Sequence, residues 1–306
     1  MKGVFDLKPG SGYDDDIARR YHFPNNRPYR EAALACVGDW IIYREGRRNK
    51  GREAYIGTAE VVAVEPDPND PTHAYARVAN FLPFPTLVPL RIAGRFAEAP
   101  LRNLPDPSKV GAALQGRSVR PLAAEDFDAI VLAGLNETLA PQNAARLGLD
   151  FPADDLPPLG LPDGVEDRPR RIEQMLINRK IRDANFRLVV CEAYDNRCAV
   201  TGLRIINGGG RAEVQAAHIL PVADGGTDVV QNGIALSATV HWLFDRHLIS
   251  LDDQYRLLVS HNRVPSELTN LFRPGHQPIH LPKDPRLHPH PRFLAHHRER
   301  YANAGH

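Results

Sequence analysis

The stretch AAHILPVADGGTDVVQNGIALSATVHWLFDRH, residues 216–247, holds three histidines, an asparagine before a glycine, and an aspartate one helical turn after His241. Its elements can be read in order. EVQAAHI (213–219) alternates polar and apolar residues as a strand does, with His218 near its end. LPVADGGTD (220–228) is a turn-rich loop whose Gly225-Gly226 pair is free to adopt positive φ. Asn232-Gly233 makes a second turn, IALS (234–237) reads as a short extended run, and ATVHWLFDRH (238–247) reads as a helix. His241 and Asp245 lie four positions apart and so project from one helical face. Trp242, Leu243 and Phe244 are expected to anchor that helix in the core.

Two strands, a helix and a histidine at a strand end suit the hydrolysis of a phosphodiester. A general base must take a proton from water, and neutral imidazole, with an ordinary pKa of about 6.5, is fitted to that task. A divalent cation must stabilise charge on the phosphate and the leaving oxygen. His218 can serve as the base, while His241 and Asp245 can hold the cation. Asn232 can fix the loop through side-chain-to-backbone hydrogen bonds.

Four blocks in this region stand together: C-x-x-T-G at Cys198–Gly202, A-A-H-I at Ala216–Ile219, N-G-x-x-L at Asn232–Leu236 and H-x-L-F-D at His241–Asp245. In order and spacing they resemble the HNH, or ββα-metal, nucleases. The resemblance implies that His218 activates water, that Asn232 orders the loop, and that His241 and Asp245 bind a metal. Two positions depart from the family's pattern. Many relatives carry a metal-ligating residue just before the general base, where this chain has Ala217. Water and phosphate would then complete the shell, which suits Mg²⁺ or Mn²⁺ better than a closed zinc site. Many relatives also carry paired CxxC motifs for a structural zinc. Here Cys198 has Thr201 at the partner position, so no structural zinc is expected and Cys198 reads as a small buried hydrophobe.

The rest of the chain sets the context. Its 306 residues, 42% hydrophobic and 25% charged, are long enough for two soluble domains. No apolar run is long enough for a membrane span, the start MKGVFDLKPGSGYDDD has no signal-like core, and three cysteines make no disulfide framework. A cytoplasmic protein is expected. The 38 basic and 37 acidic residues nearly cancel, so a polyanion would have to be met by local patches such as REGRRNKGR (44–52). Residues 136–169 are rich in Pro, Gly and Asp and read as a linker. The helix-forming stretch from Arg170 opens the second unit. The tail histidines (His276, His280, His288, His290, His296, His297 and His306) are irregularly spaced and read as part of a C-terminal wrap.

Between residues 38 and 92, GDWIIYRE, EAYIGTAEVVAVEP and HAYARVANFLPF read as strands of a small barrel or curved sheet. The order G-D-W…Y-x-G-x-A-x-V within 20–135 resembles the PUA superfamily, which includes the SRA, EVE and ASCH domains. That resemblance implies a reader of a modified base flipped from the duplex. Trp40, Tyr43, Tyr55 and Phe81 would supply rings and Asp39 a hydrogen bond, while Arg47, Arg48, Lys50 and Arg52 would grip phosphates. Trp40 and Tyr43, three apart in a strand, should point to opposite faces.

The expected fold is therefore α+β: a PUA-like β-barrel over 1–135, a linker over 136–169 and a ββα-metal nuclease over 170–306. The expected function is a modification-dependent DNA endonuclease acting on double-stranded DNA that carries modified cytosine. One nuclease unit per chain makes a homodimer attractive for cutting both strands. Two rivals remain at this point. One is a non-catalytic binding protein with a degraded HNH unit; the other is a nuclease whose N-terminal domain reads RNA or protein.

Overall fold

The β structure predicted for 38–92 begins earlier in the chain. In the computed structural model, which describes residues 1–8, 10, 12–13, 15–47, 51–140, 143, 168–260 and 263–303, two further strands precede it. They are Gly3–Leu7 (β1) and Arg20–Pro24 (β2). Asp39–Glu45 (β3), Ala54–Pro66 (β4), His73–Pro89 (β5) and Val119–Pro121 (β6) complete a six-stranded sheet of order β2-β5-β4-β3-β1-β6. β1 pairs parallel to β3 in the register Phe5↔Tyr43, and the other pairings are antiparallel. Register shifts interrupt β3–β4 once and β4–β5 three times, and such bulges bend a sheet. The sheet curls, but β2 and β6 remain as edges, so a closed barrel is not formed.

The chain divides into two compact units, Met1–Asn185 and Phe186–His306. In the first, the sheet is buried on both faces, which is why its strands lack clean alternation. Val4, Trp40, Ile42, Tyr55 and Leu82 share one core with Phe127, Ile130 and Val131 of the helix Ala124–Gly134. That helix lies so close that a Cβ on Gly134 would come within 2.4 Å of the Phe84 ring. The opposite face clusters Tyr43 with Phe5, Tyr21 and Phe81, ring centroids 6.0–6.4 Å apart.

Ile172, Met175 and Leu176 of the helix Arg168–Ile177 belong to the first of these cores. The start near Arg170 expected for the second unit therefore differs from the observed division at Phe186, because this helix buries its apolar face in the first unit. Of the expected linker, residues 141, 142 and 144–167 lie outside the described residues.

The second unit begins within the helix Arg179–Ala193, whose first turn is capped by Asn178 Oδ1 accepting from Lys180 N at 3.0 Å. Strands Gln215–His218 (β7) and Gly233–Leu236 (β8) form an antiparallel pair, and the helix Ala238–Asp245 (α1) follows them. A second pair joins Ile249–Leu251 to Leu257–Val259. The C-terminal helix Pro291–Asn303 buries Phe293, Leu294 and His297 within this unit.

His297 makes a pH-dependent contribution that can be measured. Its Nδ1 accepts from Ser250 Oγ (2.9 Å), its Nε2 donates to the Phe244 carbonyl (3.1 Å), and its ring stacks on Phe244 at 3.8 Å. Burial, with help from neighbouring His247, pushes its pKa down to about 4 from the ordinary 6.5. Between those values the unfolded chain binds a proton that the folded chain refuses, so stability falls as pH drops through this window. The loss approaches about 3 kcal/mol once pH falls below both values. Urea unfolding at pH 7 and pH 5 should show this slope, and His297→Gln should flatten it. Equal slopes in the two proteins would contradict the assignment.

Candidate functional site

His218 ends β7 and pairs across the hairpin with Gly233. Its ring lies parallel to Phe186, centroids 3.8 Å apart and planes 6° apart. Its Nε2 stands 3.0 Å from Oδ1 of Asp228, a carboxylate only 3% exposed. An ionised carboxylate can only accept, so Nε2 carries the proton and Nδ1 keeps its lone pair. The imidazole is thus held by a stack on one side and a charge-assisted bond on its edge.

Asn232 is fully buried. Its Oδ1 accepts from Leu220 N at 2.8 Å, and its Nδ2 donates to Leu220 O at 2.9 Å and to Thr227 O at 3.0 Å. One side chain thereby fastens both ends of the loop between β7 and Asp228. Glycine is required on either side of this clamp. A Cβ on Gly226 would meet the Leu220 carbonyl oxygen at 1.9 Å, and one on Gly233 would meet Val190 Cγ2 at 2.3 Å. Gln231 ties the clamp to the C-terminal segment: its Nε2 donates to Arg286 O at 2.7 Å and its carbonyl accepts from His290 N at 3.0 Å.

On α1, His241 Nε2 lies 3.4 Å from Asp245 Oδ2, and His241 Nδ1 lies 3.1 Å from Gln215 Oε1. The Gln215 oxygen accepts, so it places the His241 proton on Nδ1 and turns a bare Nε2 lone pair toward the Asp245 carboxylate. A positive charge joins such a pair: either a proton on Nε2, which makes an ion pair with Asp245, or a bound cation. A divalent cation can take that place, since ligand bonds of about 2.0–2.2 Å reach one ion from both atoms. The donor set of one imidazole nitrogen and one carboxylate oxygen fits such an ion. Among the described residues no third His, Cys, Asp or Glu joins the pair. Ala217 shares the strand face of Gln215 and is buried, so it offers no donor there.

The structure thus gathers His241 with Asp245, His218 with Asp228, and Asn232 with the loop backbone. Gln215 and Asp228 escaped the sequence reading. Gln215 was legible by strand parity, as the residue two before Ala217 on the same face. Asp228 was hidden in a loop read only for its turns. Trp242 corrects an expectation: Leu243 and Phe244 are buried, whereas Trp242 is 57% exposed. The helical period turns Val240, Leu243 and Phe244 inward and places Trp242 on the opposite side.

The residues expected to read a base do not converge. Trp40 and Tyr55 lie in one core of the first unit, while Tyr43 and Phe81 lie in the cluster on the other face. Asp39 is held by Lys2 Nζ at 2.5 Å and the terminal amine at 2.9 Å. Among the expected phosphate contacts, Arg52 is committed to Glu45 by a two-pronged bond of 2.7 and 2.9 Å. Arg47 is exposed, and Arg48 and Lys50 lie outside the described residues. Arg44, from the same basic run, is buried against Asp6 at 3.1 Å.

Comparison with known proteins agrees with the reading of the second unit. Residues 198–252 match the family model for HNH endonucleases, and this segment is an HNH endonuclease domain. No curated protein matches the chain. Among solved structures it is similar to the modification-dependent TagI restriction endonuclease, with 15% identity over 97% of this chain and 80% of that one, TM-score 0.31. It is also similar to Rpa0253 from Rhodopseudomonas palustris, with 21% identity over 44% of this chain and 92% of that one, TM-score 0.31. A third is the phosphorothioation-dependent restriction endonuclease ScoMcrA, with 16% identity over 99% of this chain and 50% of that one, TM-score 0.20. Among the described residues no helix is long and apolar enough to cross a membrane.

Proposed function

We propose that the chain is a modification-dependent DNA endonuclease whose second unit cuts and whose first unit selects. The observation that carries the cutting half is the set of His218, Asp228, Asn232, His241 and Asp245 inside the HNH match. Asp228 holds His218 with its Nδ1 lone pair free. That nitrogen takes a proton from water, the oxygen left behind attacks phosphorus, and the bond from phosphorus to the leaving oxygen breaks. The leaving oxygen collects its proton from solvent. His241 and Asp245 would hold Mg²⁺ or Mn²⁺, which when bound supplies charge stabilisation at the phosphate and the leaving oxygen. Gln215 orients His241 from behind. Asn232 keeps the loop that carries Asp228 in register with β7.

The selecting half rests on the sequence order G-D-W…Y-x-G-x-A-x-V within 20–135, which resembles the PUA superfamily. A phosphate-directed cutter reads little sequence of its own, so discrimination falls to a companion domain. We assign that domain a modified cytosine as its ligand and propose a homodimer as the form that cuts both strands. The test uses Mg²⁺ or Mn²⁺ with plasmids that are unmodified, methylated, hydroxymethylated or glucosylated on cytosine. Preferential cutting of at least one modified plasmid is expected. Equal cutting of all four would remove the reader and leave the nuclease standing.

A further inference from the structure

The outward face of α1 carries more than its ligand pair. Ala238, Thr239, Trp242, Asp245 and Arg246 are exposed, while Val240, Leu243 and Phe244 hold the helix down. Trp242 lies three residues before Asp245, so the two share one side of the helix. Among the described residues its ring contact is the Arg246 guanidinium carbon, 6.0 Å from its centre and at the outer limit of a cation–π contact. This apolar ring stands exposed on the same side of the helix as Asp245. The phosphodiester proposed for His241 and Asp245 arrives with a sugar and a base on either side, and a base offers a face for an indole to stack on.

From this face we infer that Trp242 is a substrate contact, resting on the nuclease reading above. It stacks on the sugar–base step next to the scissile phosphate of a DNA strand, and Arg246 meets the neighbouring phosphate. A ring in this role favours DNA whose base at the cut can swing toward it, so a duplex with a mismatch or bulge at that step is bound more tightly than a fully paired one.

The chain contains two tryptophans, and the other, Trp40, is buried in the first unit. Quenching of fluorescence by acrylamide therefore reports mainly on Trp242. The measurement uses the full-length His218→Ala protein, whose cleavage is expected to be slow on the time of the assay, with a paired and a mismatched oligonucleotide duplex in Mn²⁺. Both duplexes should shield Trp242, the mismatched one at lower concentration. Trp242→Ala should weaken DNA binding roughly 5- to 150-fold, and Trp242→Phe should restore most of the loss. Neither change should alter Mn²⁺ affinity measured by calorimetry.

Two outcomes would overturn the inference: a Trp242 as open to quencher in the DNA complex as in the free protein, or a Trp242→Ala protein with unchanged DNA affinity. The parent reading fails differently. If the unsubstituted protein never cuts but DNA still shields Trp242, the nuclease assignment falls and the contact stands.

Discussion

His218→Ala is expected to lower DNA cleavage by about 10²- to 10⁴-fold while leaving the fold intact. The size follows from the loss of the group proposed to accept the water proton. The fold should survive because the imidazole contributes a stack on Phe186 and one edge contact, whereas the loop is held by Asn232. Circular dichroism before the assay separates the two effects. Asp228→Asn tests the same machinery from behind. Its amide can present a donor where the carboxylate only accepted, so the proton on Nε2 loses its fixed partner. A fall of about 10- to 100-fold with a shifted pH–rate profile is expected. Full activity in His218→Ala would remove this residue as the base, whatever Asp228 does.

The second large effect concerns the metal. His241→Ala or Asp245→Ala should abolish measurable Mn²⁺ binding by calorimetry, since each removes one of two protein donors. Gln215→Ala should keep binding but weaken it about 10- to 100-fold, because the His241 tautomer is then no longer fixed. Mn²⁺ affinity that ignores both His241 and Asp245 would favour a binding protein that has lost its chemistry. The three-residue series also separates a ligand from its support, which a single loss-of-function variant would not.

The second unit was more legible in the sequence than the first, for a physical reason. In 213–247 each local signal agrees with the next: alternation ends at His218, glycines mark the turns, and a four-residue spacing sets two donors on one helix. Short-range rules suffice when the elements are neighbours in the chain. The first unit depends on distant pairing. β1 pairs with β3 at a separation of 38 residues (Phe5↔Tyr43), and GVFDL has too little alternation to declare itself. Its aromatics misled for a related reason. Strand periodicity says which face a ring takes, and it does not say that both faces of the sheet will be covered. Trp242 shows the reverse case, where neighbours Leu243 and Phe244 suggested a core and the helical period placed the indole outside.

The Asn232 clamp also bears on how this protein ages. Asparagine followed by glycine is the dipeptide in which the backbone nitrogen of the glycine most easily attacks the side-chain amide carbon, releasing ammonia and closing a succinimide ring that water then opens to aspartate or isoaspartate. Here both ends of that amide are engaged and the residue is sealed from water, so the reaction waits on local opening of the loop. Stored protein should therefore lose this asparagine in proportion to the fraction of time the loop stands open. Each conversion would leave a permanent negative charge where the loop needed a donor, so chemical decay at one peptide bond and the loss of nuclease competence would run on the same clock.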